Sequence, residues 1–447
     1  MKTIEYLKYL LLILLIFNAG CAQKNDLESR IDRYLSPLIK GENFSGSILI
    51  HQNDEIIFSK GYGFANIPFG IKNSSQTRFH ICSLSKSFTA ASILLLEERG
   101  SLQLSDPITE YIPELNHFTN VTIHHLLSHR SGIPDINHQP EYRNLLNNNQ
   151  TPSTLIDVIK EYEPEFKPGE KYSYSNSNYN VLACVIEVTS GEDYGTFLKD
   201  HIFDPLDLRN TGHHKHMGEL IENLAEGYVP AGGCFSVEKA PYIDWSAKTG
   251  NGSLYSTTED LLKWITSLMG GEVLPESSLK RMIEQGYGWF VGEKLDEKVI
   301  YYNGNSTGFN SYLGYFPNKN LTIIVLGNND IPLATTIGEG LASMILNGTA
   351  KDFQELKPIH INQEFIKSVE GTYKFPWYSF AIIARKNMLV YKGSYPYYEV
   401  SMIPLEENKL FNRFFWSNLV IERNKNGEVI YIYWEGSPQQ KGIKIEK

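Results

Sequence analysis

The sequence has 447 residues, of which 42% are hydrophobic and 21% charged, and its formal net charge at pH 7 is −10. This length suits one large domain with a smaller one, and the composition is typical of a globular protein. Because the charge is acidic and thinly spread, without a basic stripe, nucleic acid is not expected as a partner.

The first residues, MKTIEYLKYLLLILLIFNAGC, have the features of an export signal. Two lysines precede an apolar run from Tyr9 to Phe17, which is too short to span a bilayer comfortably. The order of small residues before Cys21 resembles a bacterial lipoprotein signal with Cys21 as the lipidated residue. We therefore predict a signal peptide over 1–21 and a cell-envelope lipoprotein, periplasmic or at the outer membrane, with a lipid anchor. Simple cleavage and secretion is the first alternative, since Asn18 stands where leucine is usual, and a retained anchor helix is the second.

The segments after the signal predict a mixed fold. SGSILIHQ and DEIIFSKGYGFAN are predicted strands joined at Asn53-Asp54, and a helical stretch with loops runs from Ser83 to about Gly191. Strand patterns return in YGWFVGEK, KVIYYNGN, NSYLGYF and LTIIVLGN, and IPLATTIGEGLASMIL follows as a helix. Strands at both ends with helices between them predict an α+β fold, an antiparallel sheet that carries a helical region.

The residues after about Lys351 have a different pattern. KDFQELKPIHI is a linker-like connection, and seven short strand-like runs follow it, from GTYKF to VIYIYWEG. We therefore place the main domain at 27–348 and a small all-β domain at 356–447.

The segment HICSLSKSFTAAS places Ser83 and Lys86 at the start of an apolar helix. At this spacing the two side chains share one helix face, and the helix N-terminus favours developing negative charge on a serine oxygen. The pattern suits a serine nucleophile with a lysine beside it. The alternatives are a capping serine followed by a solvated lysine, and a nucleophilic Cys82, which no histidine pattern supports.

A second polar stretch, FKPGEKYSYSNSNYNVLACVIEV, contains Tyr174 and Asn176 just before another apolar helix. A serine nucleophile needs a base, and a phenol near an ammonium group can act as one in its phenolate form. An asparagine two residues later can bind a substrate amide. The alternative is a polar loop that caps the helix, because Tyr-x-Asn also begins at Tyr142 and Tyr301.

Together these stretches resemble one family. HICSLSKSFTAAS, GSLQLSDPITEYIPEL, VTIHHLLSHRSGIPD, FKPGEKYSYSNSNY, IFDPLDLRNTG and NGSLYSTTEDL occur in the order found in the class C β-lactamase and penicillin-binding-protein-like serine hydrolases. The resemblance implies a β-lactamase/DD-peptidase-like fold, with helices packed on the antiparallel sheet and a small β domain appended. It places the nucleophile at Ser83, the lysine at Lys86, the tyrosine at Tyr174 and the substrate-binding asparagine at Asn176.

One motif departs from the family pattern. The family usually carries Lys or His, a small residue and Gly on a strand facing the serine, and the corresponding residues here are Tyr302-Asn303-Gly304. Tyr302 keeps a hydrogen-bond donor but lacks the charge that a lysine offers to a substrate carboxylate, so we expect inefficient β-lactam hydrolysis. The backbone N–H of Asn305 is expected to pair with that of Ser83 as the oxyanion hole.

Two rival interpretations involve other residues. The run from Gly304 to Gly308 satisfies the Gly-x-Ser-x-Gly elbow of α/β-hydrolases, with Asp330 and His360 downstream, but the elbow must turn from a strand into a helix. The residues that follow alternate like strands instead. The histidines at 213, 214 and 216, and those at 125 and 129, lack a metal-site pattern, so we predict no metal and no cofactor.

The sequence thus predicts an exported serine hydrolase that forms an acyl-enzyme on Ser83, with Lys86 and Tyr174 transferring the proton. We expect small esters, peptides or amides as substrates, with D-amino-acid peptides of the cell wall as candidates. The alternatives are a β-lactamase or DD-carboxypeptidase proper, and a catalytically weak protein that binds penicillin or wall peptides through the same site.

Overall fold

The computed structural model describes residues 26–446 except 387 and 397, so the predicted signal peptide and Cys21 lie outside the described residues. None of the helices in the described part combines the length and hydrophobicity that a bilayer-crossing segment needs.

The main domain contains both strands and helices. The strands are β1 (Gly46–Gln52), β2 (Glu55–Tyr62), β3 (Phe64–Asn66), β4 (Ile71–Lys72), β5 (Phe79–His80), β6 (Gly212–His213), β7 (Tyr228–Val229), β8 (Glu238–Lys239), β9 (Leu254–Ser256), β10 (Phe290–Lys294), β11 (Glu297–Ser306), β12 (Phe309–Phe316) and β13 (Leu321–Gly327). The helices are α1 (26–40), α2 (Ser85–Glu98), α3 (Ile123–Leu127), α4 (Tyr142–Leu145), α5 (Pro152–Ile159), α6 (Asn176–Ser190), α7 (Tyr194–Leu198), α8 (Thr258–Met269), α9 (Glu276–Glu284) and α10 (Ala334–Leu346).

The central sheet has six strands in the order β10-β11-β12-β13-β1-β2, with neighbours antiparallel. The turn between β1 and β2 contains Asn53 and Asp54, whose φ angles are 50° and 66°. Asn and Asp tolerate this left-handed conformation, which suits the twist of a two-residue hairpin. Because β13 pairs with β1, strands from both ends of the domain close one sheet, and the predicted α+β fold class is confirmed.

Both faces of this sheet are buried, which explains the continuous apolar run in β13. Ile323 and Val325 pack in a core with α1 and α10, whereas Ile324 and Leu326 point to the opposite face and pack with the helical region. This alternation follows from the period of two along a strand. The site described below lies on the side of the helical region.

The C-terminal residues form a closed eight-stranded barrel, preceded by helix α11 (Gln363–Val369). Its strands are β14 (Gly371–Lys374), β15 (Ser379–Arg385), β16 (Met388–Lys392), β17 (Val400–Glu406), β18 (Lys409–Asn412), β19 (Ser417–Arg423), β20 (Val429–Trp434) and β21 (Gly442–Glu446). Strand β21 was not predicted from the sequence, and its Ile443 and Ile445 are exposed instead of facing the barrel core. Helices α1 and α11 were not predicted either, although Ile31, Leu35 and Leu38 of α1 have helical spacing.

A buried arginine ties the barrel to the main domain. Arg413 is 0% exposed, and its guanidinium donates hydrogen bonds to the Asn43 side chain and to the backbone oxygens of Glu42 and Ser236. Burial lowers the pKa of Arg413 to about 10. All of these acceptors are carbonyl oxygens, and the donor is charged. Hydrogen bonds of this type are stronger than those between neutral groups, so they help to hold the two domains together.

Candidate active site

Ser83 lies in a 3-10 turn, Cys82–Leu84, directly before α2. The preceding residue, Cys82, has a φ of 52°, which is uncommon for a residue with a side chain. The Cys82 thiol is buried, and burial raises its pKa to about 12. A thiol that remains protonated is a poor nucleophile, whereas Ser83 is partly exposed on a cavity wall.

Lys86 lies beneath Ser83 and is completely buried. Its Nζ donates three hydrogen bonds, to Ser83 Oγ at 3.1 Å, to Asn176 Oδ1 at 2.9 Å and to the backbone oxygen of Asn251 at 2.8 Å. An ammonium group has three protons, so these bonds fix its orientation. The predicted pair is therefore brought together, although only Lys86 lies in α2 and Ser83 lies in the preceding 3-10 turn, with the serine oxygen within reach of the amine.

The surroundings of Lys86 favour the neutral amine. Burial lowers the pKa of Lys86 to about 7, the positive charge of Lys248 acts in the same direction, and Asp135 opposes both. Near pH 7 a substantial fraction of Lys86 is therefore unprotonated and able to accept a proton from Ser83.

Tyr174 approaches the same serine oxygen, with 3.1 Å between Tyr174 Oη and Ser83 Oγ. Burial raises the pKa of Tyr174 more than its hydrogen bonds with Ser83 and Tyr302 lower it. The phenol form is thus favoured, in contrast to the phenolate base suggested from sequence. His129 packs against the Tyr174 ring at 4.5 Å, and burial lowers its pKa to about 3, so this neighbour is neutral.

Asn176, the first residue of α6, is held by a buried carboxylate that the sequence analysis did not identify. Its backbone N–H and its side-chain amide both donate to Asp135, with N···O distances of 3.1–3.2 Å. This leaves Asn176 Oδ1 facing Lys86. Asp135 ends the quoted segment VTIHHLLSHRSGIPD, and a carboxylate directly after Gly132 and Pro134 in this loop is the signal by which it could have been found.

A cavity of about 290 Å³ opens above Ser83. Five of the predicted site residues line it, namely Ser83, Tyr174, Asn176, Tyr302 and Asn305. The sixth, Lys86, lies below the floor. The structure therefore gathers all six around one cavity, although they are spread over three separate segments of the sequence.

Strand β11 packs very closely on the turn that carries Ser83. A Cβ atom added at Gly304 would lie 2.7 Å from the backbone oxygen of Ile81 and 2.8 Å from Cys82 Cβ. Ser311 on β12 donates to the same Ile81 oxygen at 2.8 Å. Glycine at this position lets the backbone of β11 approach Ser83, which an oxyanion hole shared by Ser83 and Asn305 requires.

Comparisons with known proteins agree with this geometry. Residues 31–339 match the family model described as beta-lactamase. The chain belongs to the β-lactamase family. The predicted resemblance and its serine hydrolase fold are thereby confirmed.

Individual relatives agree with the assignment. The protein PbpX of Bacillus subtilis (strain 168) is 34% identical over 309 residues, which cover 68% of this chain and 74% of PbpX. A penicillin binding protein from Bacillus halodurans is similar in structure, with a TM-score of 0.61 and 25% identity over 69% of this chain and 97% of its own. An octameric penicillin-binding protein homologue from Pyrococcus abyssi has a TM-score of 0.63 and 25% identity, and covers 94% of this chain and 99% of its own. The last match spans the barrel as well as the family domain.

Tyr302 occupies the position where this β-lactamase-family protein departs from the usual motif. It is 3% exposed, stacks on Phe290 with 4.7 Å between ring centres and hydrogen-bonds to Tyr174. Its ring therefore forms part of the cavity wall beside Tyr174 and brings no charge there.

The rival interpretations find no support in the structure. Ser306 ends β11, and a two-residue turn leads straight into β12, so the strand-to-helix elbow of an α/β-hydrolase is not formed. The described residues contain no group of three or more His, Cys, Asp and Glu side chains arranged to hold a metal ion. Among the histidines, His213 contacts Thr249, and His214 contacts His80.

Proposed function

We propose that this protein is an exported serine hydrolase that acts through an acyl-enzyme on small esters, amides or peptides. One observation carries the proposal. Ser83 Oγ lies on the cavity wall, 3.1 Å from Lys86 Nζ and 3.1 Å from Tyr174 Oη. A nucleophile within hydrogen-bond distance of a base is the signature of covalent catalysis.

The reaction follows from the protonation states of these groups. Ser83 Oγ attacks the substrate carbonyl while the neutral Lys86 amine takes its proton, and the carbonyl oxygen becomes an oxyanion near the N–H groups of Ser83 and Asn305. Tyr174, a neutral phenol, then gives a proton to the leaving group and is reprotonated from the Lys86 ammonium. Water releases the acyl group when the same groups act in reverse order.

The cavity supports amide or peptide substrates of small size. Its wall carries the side-chain amides of Asn137, Asn176, Asn303 and Asn305, which offer donors and acceptors to a peptide group. D-amino-acid peptides of the cell wall fit both this wall and the predicted lipoprotein signal ending at Cys21. Relatives titled penicillin-binding proteins point to the same class of compound.

Covalent labelling tests the proposal. We expect intact-protein mass spectrometry to show one adduct per chain with a fluorophosphonate, and acylation by a p-nitrophenyl ester, both abolished in Ser83→Ala. Ser306→Ala, a matched serine of the same cavity, should keep the adduct. An adduct that persists in Ser83→Ala, or that maps to Ser306 or Cys82, would contradict the proposal. A stable penicillin adduct without ester turnover would instead favour the alternative of a catalytically weak protein that binds penicillin or wall peptides.

A further inference from the structure

A second lysine reaches the wall of the active-site cavity. Lys248 is the last residue of a 3-10 turn, Trp245–Lys248, and lines the cavity together with Ser83 and Asn137. It is 8% exposed, and its Nζ donates to Tyr142 Oη at 2.6 Å and lies 5.3 Å from the centre of the Tyr142 ring. Withdrawing an ammonium group from water is costly, and groups of this kind cluster at functional sites.

Lys248 and Tyr302 have different neighbours on the cavity wall. A Cβ atom added at Gly252 would lie 3.6 Å from Lys248 Cβ and 3.6 Å from the carbonyl carbon of Cys82. The stem of Lys248 therefore runs beside the backbone that leads into Ser83. Tyr302, in contrast, contacts Tyr174 and Phe290.

This placement distinguishes the two ends of a substrate. In the proposed reaction Tyr174 protonates the leaving group, so the leaving group lies toward Tyr174 and Tyr302. The acyl part extends away from the leaving group, and the rest of the cavity lining that it can meet includes Lys248. A charged group of the acyl part is therefore the group that Lys248 meets.

The cavity wall has the electrostatic character of an anion site. No Asp or Glu is present among the described residues that line it, whereas Lys248 is on the wall and Lys86 lies beneath the floor. The carboxyl groups of Asp135 and Asp330 are buried outside the lining, although Asp330 is close enough to interact electrostatically with Lys248. In a cavity with limited access to water, a positive wall attracts a carboxylate more strongly than it would in bulk water.

We propose that Lys248 forms an anion subsite for the acyl part of the substrate, so that the preferred acyl group carries a carboxylate. This inference rests on the proposed acyl-enzyme function and names its substrate class. Asn137 and Ser306 line the cavity as well and offer further hydrogen-bond donors to such a group. The subsite also differs from a charge at position 302, which would face the leaving group.

A pair of esters tests the subsite. The 4-nitrophenyl ester of adipic acid has an acyl chain that ends in a carboxylate, and the 4-nitrophenyl ester of methyl adipate has the same chain without the charge. We expect the wild type to show a higher kcat/KM for the first ester. Lys248→Met should lower the ratio of the two kcat/KM values by about tenfold or more, because a buried charge pair loses one partner.

Three further variants keep the test interpretable. Lys248→Arg preserves the charge and should retain most of the preference. Lys239→Met removes a lysine that is exposed and paired with Glu226, so the ratio should not change. Tyr142→Phe keeps the ring but removes one acceptor for Lys248, and should reduce the ratio by less than Lys248→Met does. If thermal unfolding shows that Lys248→Met does not fold, the test of the subsite rests on the ratio of the two kcat/KM values measured for Tyr142→Phe.

The outcomes separate this inference from the proposed function. A wild type that labels at Ser83 but prefers the neutral ester, or a ratio unchanged in folded Lys248→Met, would overturn the anion subsite and leave the acyl-enzyme in place. A wild type that forms no adduct at Ser83 with the fluorophosphonate would overturn the proposed function, and the subsite with it.

Discussion

The neutral amine of Lys86 can be tested by a change in stability as well as by activity. Lys86 is completely buried, and its pKa is lowered from 10.5 to about 7, chiefly by burial. Replacing Lys86 by Met removes the titrating group but keeps an unbranched side chain of similar length. We expect the difference between the free energies of unfolding of Lys86→Met and the wild type to depend on pH.

The magnitude follows from linkage between proton binding and folding. Lowering a pKa by one corresponds to about 1.36 kcal/mol, so below pH 7 protonated Lys86 destabilises the folded protein by about 5 kcal/mol relative to its neutral form. Between about pH 7 and 10.5 the unfolded chain binds the extra proton, so the free energy of unfolding of the wild type rises with pH. The variant lacks this rise. The free energy of unfolding of the variant, relative to that of the wild type, should therefore fall by about 2 kcal/mol from pH 7 to pH 9.

Urea denaturation of both proteins at the two pH values measures this difference. The three hydrogen bonds that Lys86 makes add a constant offset, so the change with pH is the diagnostic quantity. Lys239→Met, which removes an exposed lysine, should give the same difference from the wild type at both values. A difference for Lys86→Met that does not change with pH would refute the reasoning, because Lys86 would then be protonated in the folded state throughout.

The same amine has a kinetic signature. Since Lys86 accepts a proton only when neutral, kcat/KM of the wild type for a neutral ester should rise with pH and level off above about 7. A rate that falls over this range would show that a different group acts as the base.

Three other substitutions test separate features. Gly304→Ala should lower the acylation rate by about tenfold or more, because the new Cβ would lie 2.7 Å from the backbone oxygen of Ile81, just before the Ser83 turn. Gly292→Ala on β10 is the control, since its Cβ would meet nothing closer than 4.0 Å and the acylation rate should not change. Equal effects of the two substitutions would contradict this prediction. The wild type should have a higher kcat/KM for neutral esters than for benzylpenicillin, whose carboxylate lies on the leaving part. Tyr302→Lys should reduce the ratio of these two kcat/KM values by roughly tenfold. Fast penicillin hydrolysis by the wild type would disprove this. Cys21→Ala should move the protein from the membrane fraction to the soluble fraction, and a wild type that is already soluble with a later N-terminus would indicate ordinary secretion.

The sequence by itself determined the features that depend on neighbouring residues. Asn53-Asp54 predicted the turn between β1 and β2 because these residue types tolerate positive φ. The spacing of Ser83 and Lys86 placed both side chains on one face, and the structure confirms their contact at 3.1 Å. The alternating strand patterns and the ordered motifs were sufficient for the fold class and the family.

The tertiary structure alone decided the chemistry of the site. Lys86 loses its proton near pH 7 because it is enclosed by residues far away in the chain, such as Asn251, whose backbone oxygen it contacts across 165 positions. The same kind of enclosure keeps Tyr174 as a phenol, although its sequence neighbours suggested a phenolate base. Asp135 and Lys248 acquire their roles only when separate loops meet at the cavity. A local pattern fixes residue types and their spacing. The desolvation of a side chain and the charges around it depend on which distant segments surround it, and only folding brings those segments together.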